Sequence, residues 1–181
     1  MRRSSILQPV FCAMFAALTA VCAQLSVPIG PVPISLATLA VYLAGAVLGG
    51  AGGAVSQLLY VLLGAAGLPV FAGFHGGIQA LLGPTGGYLA GYAVLAWIVG
   101  GLGGRFGRKA LPLAASMVLG TAVLYALGTV WFLLFAKRGL RETLLLCVVP
   151  FLPGDAAKIA AAAAVAPRLG KAFDRICAGT A

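Results

Sequence analysis

ISLATLAVYLAGAVLGGAGGAVSQLLYVLLGAA, residues 34–66, contains no Asp, Glu, Lys, Arg or His. It reads as two apolar helices, about 34–48 and 54–66, parted by the GGAGG at 49–53. Its surroundings are equally free of charge. From Ser4 to Gly104 no Asp, Glu, Lys or Arg occurs, and His75 is the one ionisable side chain of that kind. A helix needs roughly 20 apolar residues to cross a bilayer, so that stretch holds about four crossings and their short loops. The chain of 181 residues is 62% hydrophobic and 8% charged, with a mean hydropathy of +1.09. Ordinary globular chains carry about a quarter charged residues. A soluble fold could not cover this chain with polar surface, so the composition defines an all-α, polytopic membrane protein.

Proline, glycine and charge punctuate six apolar segments, read as one integral membrane domain over 1–181. The first runs from about Ile6 to Leu25 and ends in SVPIGPVP; the second and third flank GGAGG. GLPVFAGFHGGIQALLGP follows, too rich in Gly and Pro for a regular spanning helix. The fourth segment covers about Thr85 to Gly101 and stops at RFGRK, and the fifth covers about Leu111 to Ala136 and stops at KRGLRE. The sixth begins near Gly154, after LLLCVVPFLP, and ends at PRLGK. The basic N-terminus resembles a signal peptide with a V-C-A cleavage site. However, Pro28, Pro31 and Pro33 lead straight into another apolar run, so this segment is read as the first spanning helix.

The net charge of +9 fits topology better than nucleic-acid binding, because the basic residues sit at the ends of apolar runs. With both termini cytoplasmic, six crossings place Arg2, Arg3, Arg105, Arg108, Lys109, Arg168, Lys171 and Arg175 inside. Only Lys137, Arg138 and Arg141 remain outside, so the positive-inside rule favours this orientation. Small pairs such as Gly45 with Gly49, Gly87 with Gly91 and Gly100 with Gly104 read as internal helix contacts. The small face of the first helix, Ala13, Ala16, Ala17 and Ala20, is instead available to another protein's helix.

No catalytic constellation stands out. There is no P-loop, since Gly170-Lys171 is followed by Ala and Val165 sits where the motif's first glycine belongs. GLGGRFG at 101–107 misses the dinucleotide spacing. Cys12, Cys22, Cys147 and Cys177 form no CxxC and no metal spacing with His75. His75, in AGFHGG, has no carboxylate or cysteine near it in sequence and reads as a surface-loop histidine. The expectation is a protein that is not an enzyme and carries neither metal nor cofactor.

Two stretches are unusual. In PGDAAK (153–158), Pro153 suits a first helical turn and Asp155 complements the helix dipole. Lys158, three residues on, shares its face. Helix starting by Asp155 and outward snorkelling of Lys158 would explain the pair structurally. Charges within membrane segments, however, usually face a bundle interior or cavity. A carboxylate only accepts hydrogen bonds and an ammonium only donates them, so together they complement a ligand with N–H donors beside a carbonyl: an amide, a urea or a heterocycle. The second stretch, residues 67–91, is too irregular to face lipid and must be buried or line a cavity. Phe71 and its neighbours supply apolar walls there, and Gln79 and Tyr88 supply hydrogen bonds. Gln57, in the third segment, is a further candidate.

VPIGPVPISLATLAVYLAGAVLG (27–49), YVLLGAAGLPVFAG (60–73), GPTGGYLAG (83–91) and PFLPGDAAK (150–158) occur in an order that resembles the BioY family. Its members are the biotin-specific substrate-binding (S) components of energy-coupling-factor (ECF) transporters. SLAT at 35–38 departs from a T-L-Q-T-like pattern, leaving Ala37 without the usual amide, and GGAGG lacks the basic residue that commonly follows.

The resemblance implies a six-helix bundle of the ECF S-component type in a bacterial plasma membrane, surrounded by lipid, with biotin as ligand. Asp155 would accept from the ureido N–H groups and Lys158 would donate to the ureido carbonyl. Phe71 would wall the sulfur ring, with Tyr88, Gln79 or glycine-rich backbone nearer the valerate. Ala13 and Ala17 match the family's A-x-x-x-A contact for a membrane coupling subunit driven by two ATPases. Rival readings are an S component for another vitamin, a biotin transporter acting alone, a membrane enzyme and a structural or channel subunit.

Overall fold

The structure, a computed structural model, describes residues 2–28, 32–106, 109–137 and 139–178. Pro31, Arg108 and Arg138 lie outside the described residues, as do the side chains of Arg2 and Arg3. The elements in chain order begin with α1 (Arg2–Gln24), the short strands β1 (Ser26–Val27) and β2 (Ile34–Ser35), and α2 (Ala37–Ala65). They continue with α3 (Ile78–Leu82), α4 (Gly86–Arg105), α5 (Ala110–Ala136) and α6 (Leu140–Cys147). A 3-10 turn (Val149–Phe151) then leads into α7 (Leu152–Ala178). Among the described residues five helical stretches are long and apolar enough to cross a membrane: α1, α2, α4, α5 and the run Leu140–Ala178.

The 34–66 stretch has a single sharp break. Gly49 adopts φ 79°, ψ 177°, a backbone that only glycine enters cheaply. Gly50 to Gly53 are helical, so the divider expected over 49–53 contracts to one residue. The chain folds back there: a Cβ on Gly53 would lie 2.7 Å from the Gly45 Cα. In a straight helix, eight residues span about 12 Å. The two halves of α2 therefore lie side by side, in contact through glycine. A Cβ on Gly100 of α4 would meet the backbone of Gly49 and Gly50, so α4 closes on this turn, and α2 with α4 forms the most extensive helix contact.

Other boundaries move for local reasons. The fourth segment continues past Gly101 to Arg105. KRGLRE was expected only as an end, and LLLCVVPFLP as a connection; instead Leu140–Cys147 forms α6, with Glu142 in its first turn, where a carboxylate suits the dipole. SVPIGPVP is bracketed by an antiparallel pairing of Ser26 with Ser35 and Val27 with Ile34, a hairpin not expected from the sequence.

The bundle is apolar outside and carries its polar residues within. Val10, Met14, Val21, Leu62, Trp97, Val118 and Leu134 are exposed, whereas Thr19, Thr38, Gln57, Thr121, Asp155 and Lys158 are buried. This suits a lipid environment, in which buried polar side chains satisfy one another. Gly87 abuts Trp131 and Gly91 abuts Leu124, so those small residues are internal contacts. On α1 the small face divides: Ala16 is buried in the core and Ala20 packs against it, while Ala13 and Ala17 are exposed.

Candidate functional site

α7 carries the charged pair at its start. Asp155 is 3% exposed and Lys158 7%, so Lys158 points inward and does not snorkel. Lys158 Nζ donates to Asp155 Oδ1 at 2.8 Å and to Thr38 Oγ1 at 3.0 Å. Thr38 Oγ1 donates in turn to Asp155 Oδ1 at 3.1 Å. From α5, the Tyr125 hydroxyl donates to Asp155 Oδ2 at 2.6 Å. Burying two ions costs several kcal/mol each unless their hydrogen bonds are well satisfied, and side chains from α2, α5 and α7 provide this. An ammonium has three N–H groups and a carboxylate about four acceptor positions. Each ion thus keeps capacity that the protein leaves unused.

The pair lines a small recess of about 30 Å³ with Thr38, Tyr125, Phe151 and Leu124. Val32, Pro33, Ser35, Tyr88 and Tyr92 complete it, and the same five residues border a cavity of about 610 Å³. That volume falls in the range of roughly 300–1,000 Å³ usual for small-molecule sites. Tyr60, Phe71, Tyr88 and Tyr92 form its aromatic walls, and Gln24, His75, Gln79 and Thr85 its polar ones. Tyr60 and Phe71 meet edge to face at 5.5 Å, while Tyr60 stacks with Tyr92 at 6.3 Å.

The wall carrying Phe71 belongs to the irregular chain between α2 and α3, and α1 holds it. Gln24 Nε2 donates to the carbonyls of Val70 (3.1 Å) and Phe71 (3.2 Å). Its Oε1 accepts from the Phe74 amide at 2.9 Å. Phe74 has φ 59°, uncommon for a bulky residue, and the Phe71 amide bonds the His75 carbonyl at 2.9 Å. The Tyr60 hydroxyl adds a bond to the Val70 carbonyl at 3.3 Å. One amide side chain thereby satisfies both faces of a tight, strand-like turn.

Asp155, Lys158, Tyr88, Gln79 and Phe71, expected from the sequence, all border this composite space. Tyr88 stands between the two parts and commits its hydroxyl hydrogen to the Cys147 carbonyl at 2.7 Å. Gln57 is elsewhere. It is fully buried, with Nε2 donating to Thr19 and Ser56, and lines neither space. Ala13 and Ala17 lie on the outward face of α1. Gln24, Thr38, Tyr60, Tyr92 and Tyr125 were not anticipated, and His75, read as a surface-loop residue, borders the cavity while remaining exposed. Thr38 alone had a sequence signal, its place in SLAT. Among the described residues no group of three or more His, Cys, Asp and Glu side chains is placed to hold a metal.

Fold and site together define a multi-pass helical membrane protein with a cavity of small-molecule size and a buried ion pair beside it. Residues 1–175 match the BioY family. The chain belongs to that family. It is 45% identical over 157 residues to the probable biotin transporter BioY of Pyrococcus horikoshii, covering 87% of this chain and 92% of that one. The biotin transporter BioY of Thermotoga maritima is 44% identical over 158 residues, with the same coverage of 87% and 92%. That of Rhodobacter capsulatus is 38% identical over 178 residues, covering 92% of each chain. A crystal structure of the S-component for biotin from an ECF-type ABC transporter superposes with a TM-score of 0.87 at 26% identity, covering 94% of both chains.

Proposed function

We propose that this protein captures biotin from outside the cell and passes it inward as the S component of an ECF-type transporter, by transport and not by catalysis. The observation that carries the reading is the Asp155–Lys158 pair, buried yet bordering a recess beside a ligand-sized aromatic cavity. The names of the BioY relatives and of the superposed S-component support biotin as the cargo.

In this reading Asp155, which already accepts from Lys158, Thr38 and Tyr125, gives its one remaining acceptor position to a ureido N–H, and the third N–H of Lys158 takes the ureido carbonyl. The second ureido N–H takes a position that the Thr38 or Tyr125 hydroxyl gives up, since each polar atom left unpaired would cost on the order of 1–3 kcal/mol. Phe71 and Tyr92 wall the sulfur ring, with Tyr88 and Gln79 further along the cavity. The reversal at Gly49 supports counting the two halves of α2 as separate crossings. That makes six in a single plasma-membrane domain surrounded by lipid, with both termini cytoplasmic. The exposed Ala13 and Ala17 on α1 are the contact for a coupling subunit and its two ATPases.

Calorimetry of biotin binding to detergent-purified protein, wild type beside Asp155→Asn, tests this. Wild type is expected to bind tightly, and the variant to lose about 30-fold or more, the ~2–5 kcal/mol typical when one member of a buried charge pair is removed. Undiminished binding in a folded, monodisperse variant would return Asp155 to helix capping. Failure of the wild type to bind would direct the search to other vitamins.

A further inference from the structure

The last turns of α7 carry charges that the biotin site does not use. Arg168, Lys171 and Arg175 follow at intervals of three and four, which sets them on one face of the helix. All three are exposed, and among the described residues none of them pairs with a carboxylate. Two other faces complete these turns. Ala166 and Gly170 are buried, and Phe173 meets Phe11 of α1 edge to face at 4.8 Å. Leu169, Ala172 and Ile176 are exposed. At about 100° per residue, the basic face stands opposite the packed one, with the apolar face between them. We propose that Arg168, Lys171 and Arg175 form a binding surface for the headgroups of anionic phospholipids.

The length of α7 sets the depth of this face. Its 27 residues rise about 40 Å, against a hydrocarbon core of roughly 30 Å, or about 40–45 Å with the headgroup layers. Arg168 to Arg175 fall about 24–35 Å along the axis from Leu152, where hydrocarbon gives way to headgroups. The exposed Leu169 and Ile176 keep the helix against acyl chains, while the long basic side chains reach outward to the phosphates. Other cations gather at the same end. Val47 and Leu48, just ahead of the Gly49 turn, share a cluster with Phe11 and Phe173, and α4 closes on that turn at Gly100. Arg105 ends α4 beyond this point and Lys109 precedes α5. An anionic phosphodiester brings a full negative charge and accepts paired hydrogen bonds from a guanidinium. A zwitterionic headgroup offsets that charge with its own ammonium.

The position of α7 against α1 favours lipid over a protein partner. Around α1, Ala13 and Ala17 stand about 160° from Phe11 and Phe15. Phe173 packs on the Phe11 side. The basic face therefore lies on the flank of α1 away from the contact proposed for the coupling subunit, and it stays against the membrane when that contact is occupied.

Native mass spectrometry tests this on detergent-purified protein supplied with equimolar dioleoyl phosphatidylglycerol and dioleoyl phosphatidylcholine. Each basic residue near an anionic surface is worth about fivefold in binding; with headgroups shared among the three, wild type should retain the anionic lipid about tenfold over the zwitterionic one. Arg168→Gln, Lys171→Gln and Arg175→Gln combined should bring the two lipids to parity. Lys137→Gln with Arg141→Gln, at the opposite end of α5 and in α6, should leave the wild-type ratio unchanged.

Equal retention of both lipids by wild type would overturn the proposal, as would a folded triple variant that keeps the wild-type ratio. A triple variant that keeps the ratio and no longer co-purifies with the coupling subunit would give the face to a protein instead. If the triple variant is not monodisperse, the three single Gln variants carry the test. Each should lower the ratio about twofold, and no change in any of them would overturn the proposal. Biotin is not part of the readout, so the outcome is independent of the transport reading.

Discussion

At the scale of single residues, the site depends on glycines that keep aromatic walls flush. A Cβ on Gly64 would overlap the Phe71 ring, and one on Gly128 would overlap Tyr88. The backbone of α2 at Gly64 is ordinary helix, so the demand is for space and not for unusual dihedrals. Gly64→Ala is accordingly expected to push Phe71 toward the cavity. Overpacking of this kind costs about 1–3 kcal/mol, and biotin affinity should fall by up to tenfold with a modest loss of thermal stability in detergent. Unchanged affinity by calorimetry would mean that Phe71 is not a ligand wall.

At the scale of elements, the telling link is between α1 and the turn before α3. Most of that turn's backbone has no helix or sheet to satisfy it, and Gln24 supplies three of its hydrogen bonds. Unmet buried groups cost roughly 1–3 kcal/mol each, so Gln24→Leu is expected to free the segment without unfolding the bundle. Amide hydrogen exchange should accelerate at residues 71–75 while the core of α4 stays protected, and biotin should dissociate faster. Gln24→Glu keeps the acceptor for Phe74 but sets a carboxylate against two carbonyls, and should loosen the turn at least as much. Uniform exchange across the whole protein would contradict a local clamp.

At the scale of the whole molecule, α1 presents two faces of different exposure. Cys12, Ala16, Thr19 and Ala23 are buried against the bundle, whereas Ala13, Met14, Ala17 and Val21 are exposed. Close helix approach in lipid relies on small residues, and an outward Ala-x-x-x-Ala pair meets that need without serving the internal core. Ala13→Trp and Ala17→Trp are expected to abolish co-purification with the coupling subunit and ATPases while leaving biotin affinity within twofold. Loss of biotin binding would show that this face packs internally.

Composition and punctuation alone determined a membrane-embedded helical bundle. Lipid requires every backbone group to be satisfied within helices or a closed barrel, and the charge-free runs over 4–104 lack the apolar–polar alternation of barrel strands. The sequence also marked Asp155 and Lys158, since two charges three residues apart at the head of an apolar helix are rare and costly. What it could not show is what those charges meet. Thr38 lies 117 residues from Asp155 and Tyr125 lies 30 away; SLAT drew notice to Thr38 but not to its partner, and Tyr125 carries no local signal, because a hydroxyl is cheap anywhere in a bundle. Gln57 and Gln24 illustrate the same gap. Each is a lone amide in an apolar run, yet one is sealed between α1 and α2 and the other clamps the cavity wall. His75 likewise read as a surface residue, and it is the turn before α3 that sets it at the border of the cavity. Helix packing decides which side chains share a space, and that depends on contacts between segments far apart in the chain.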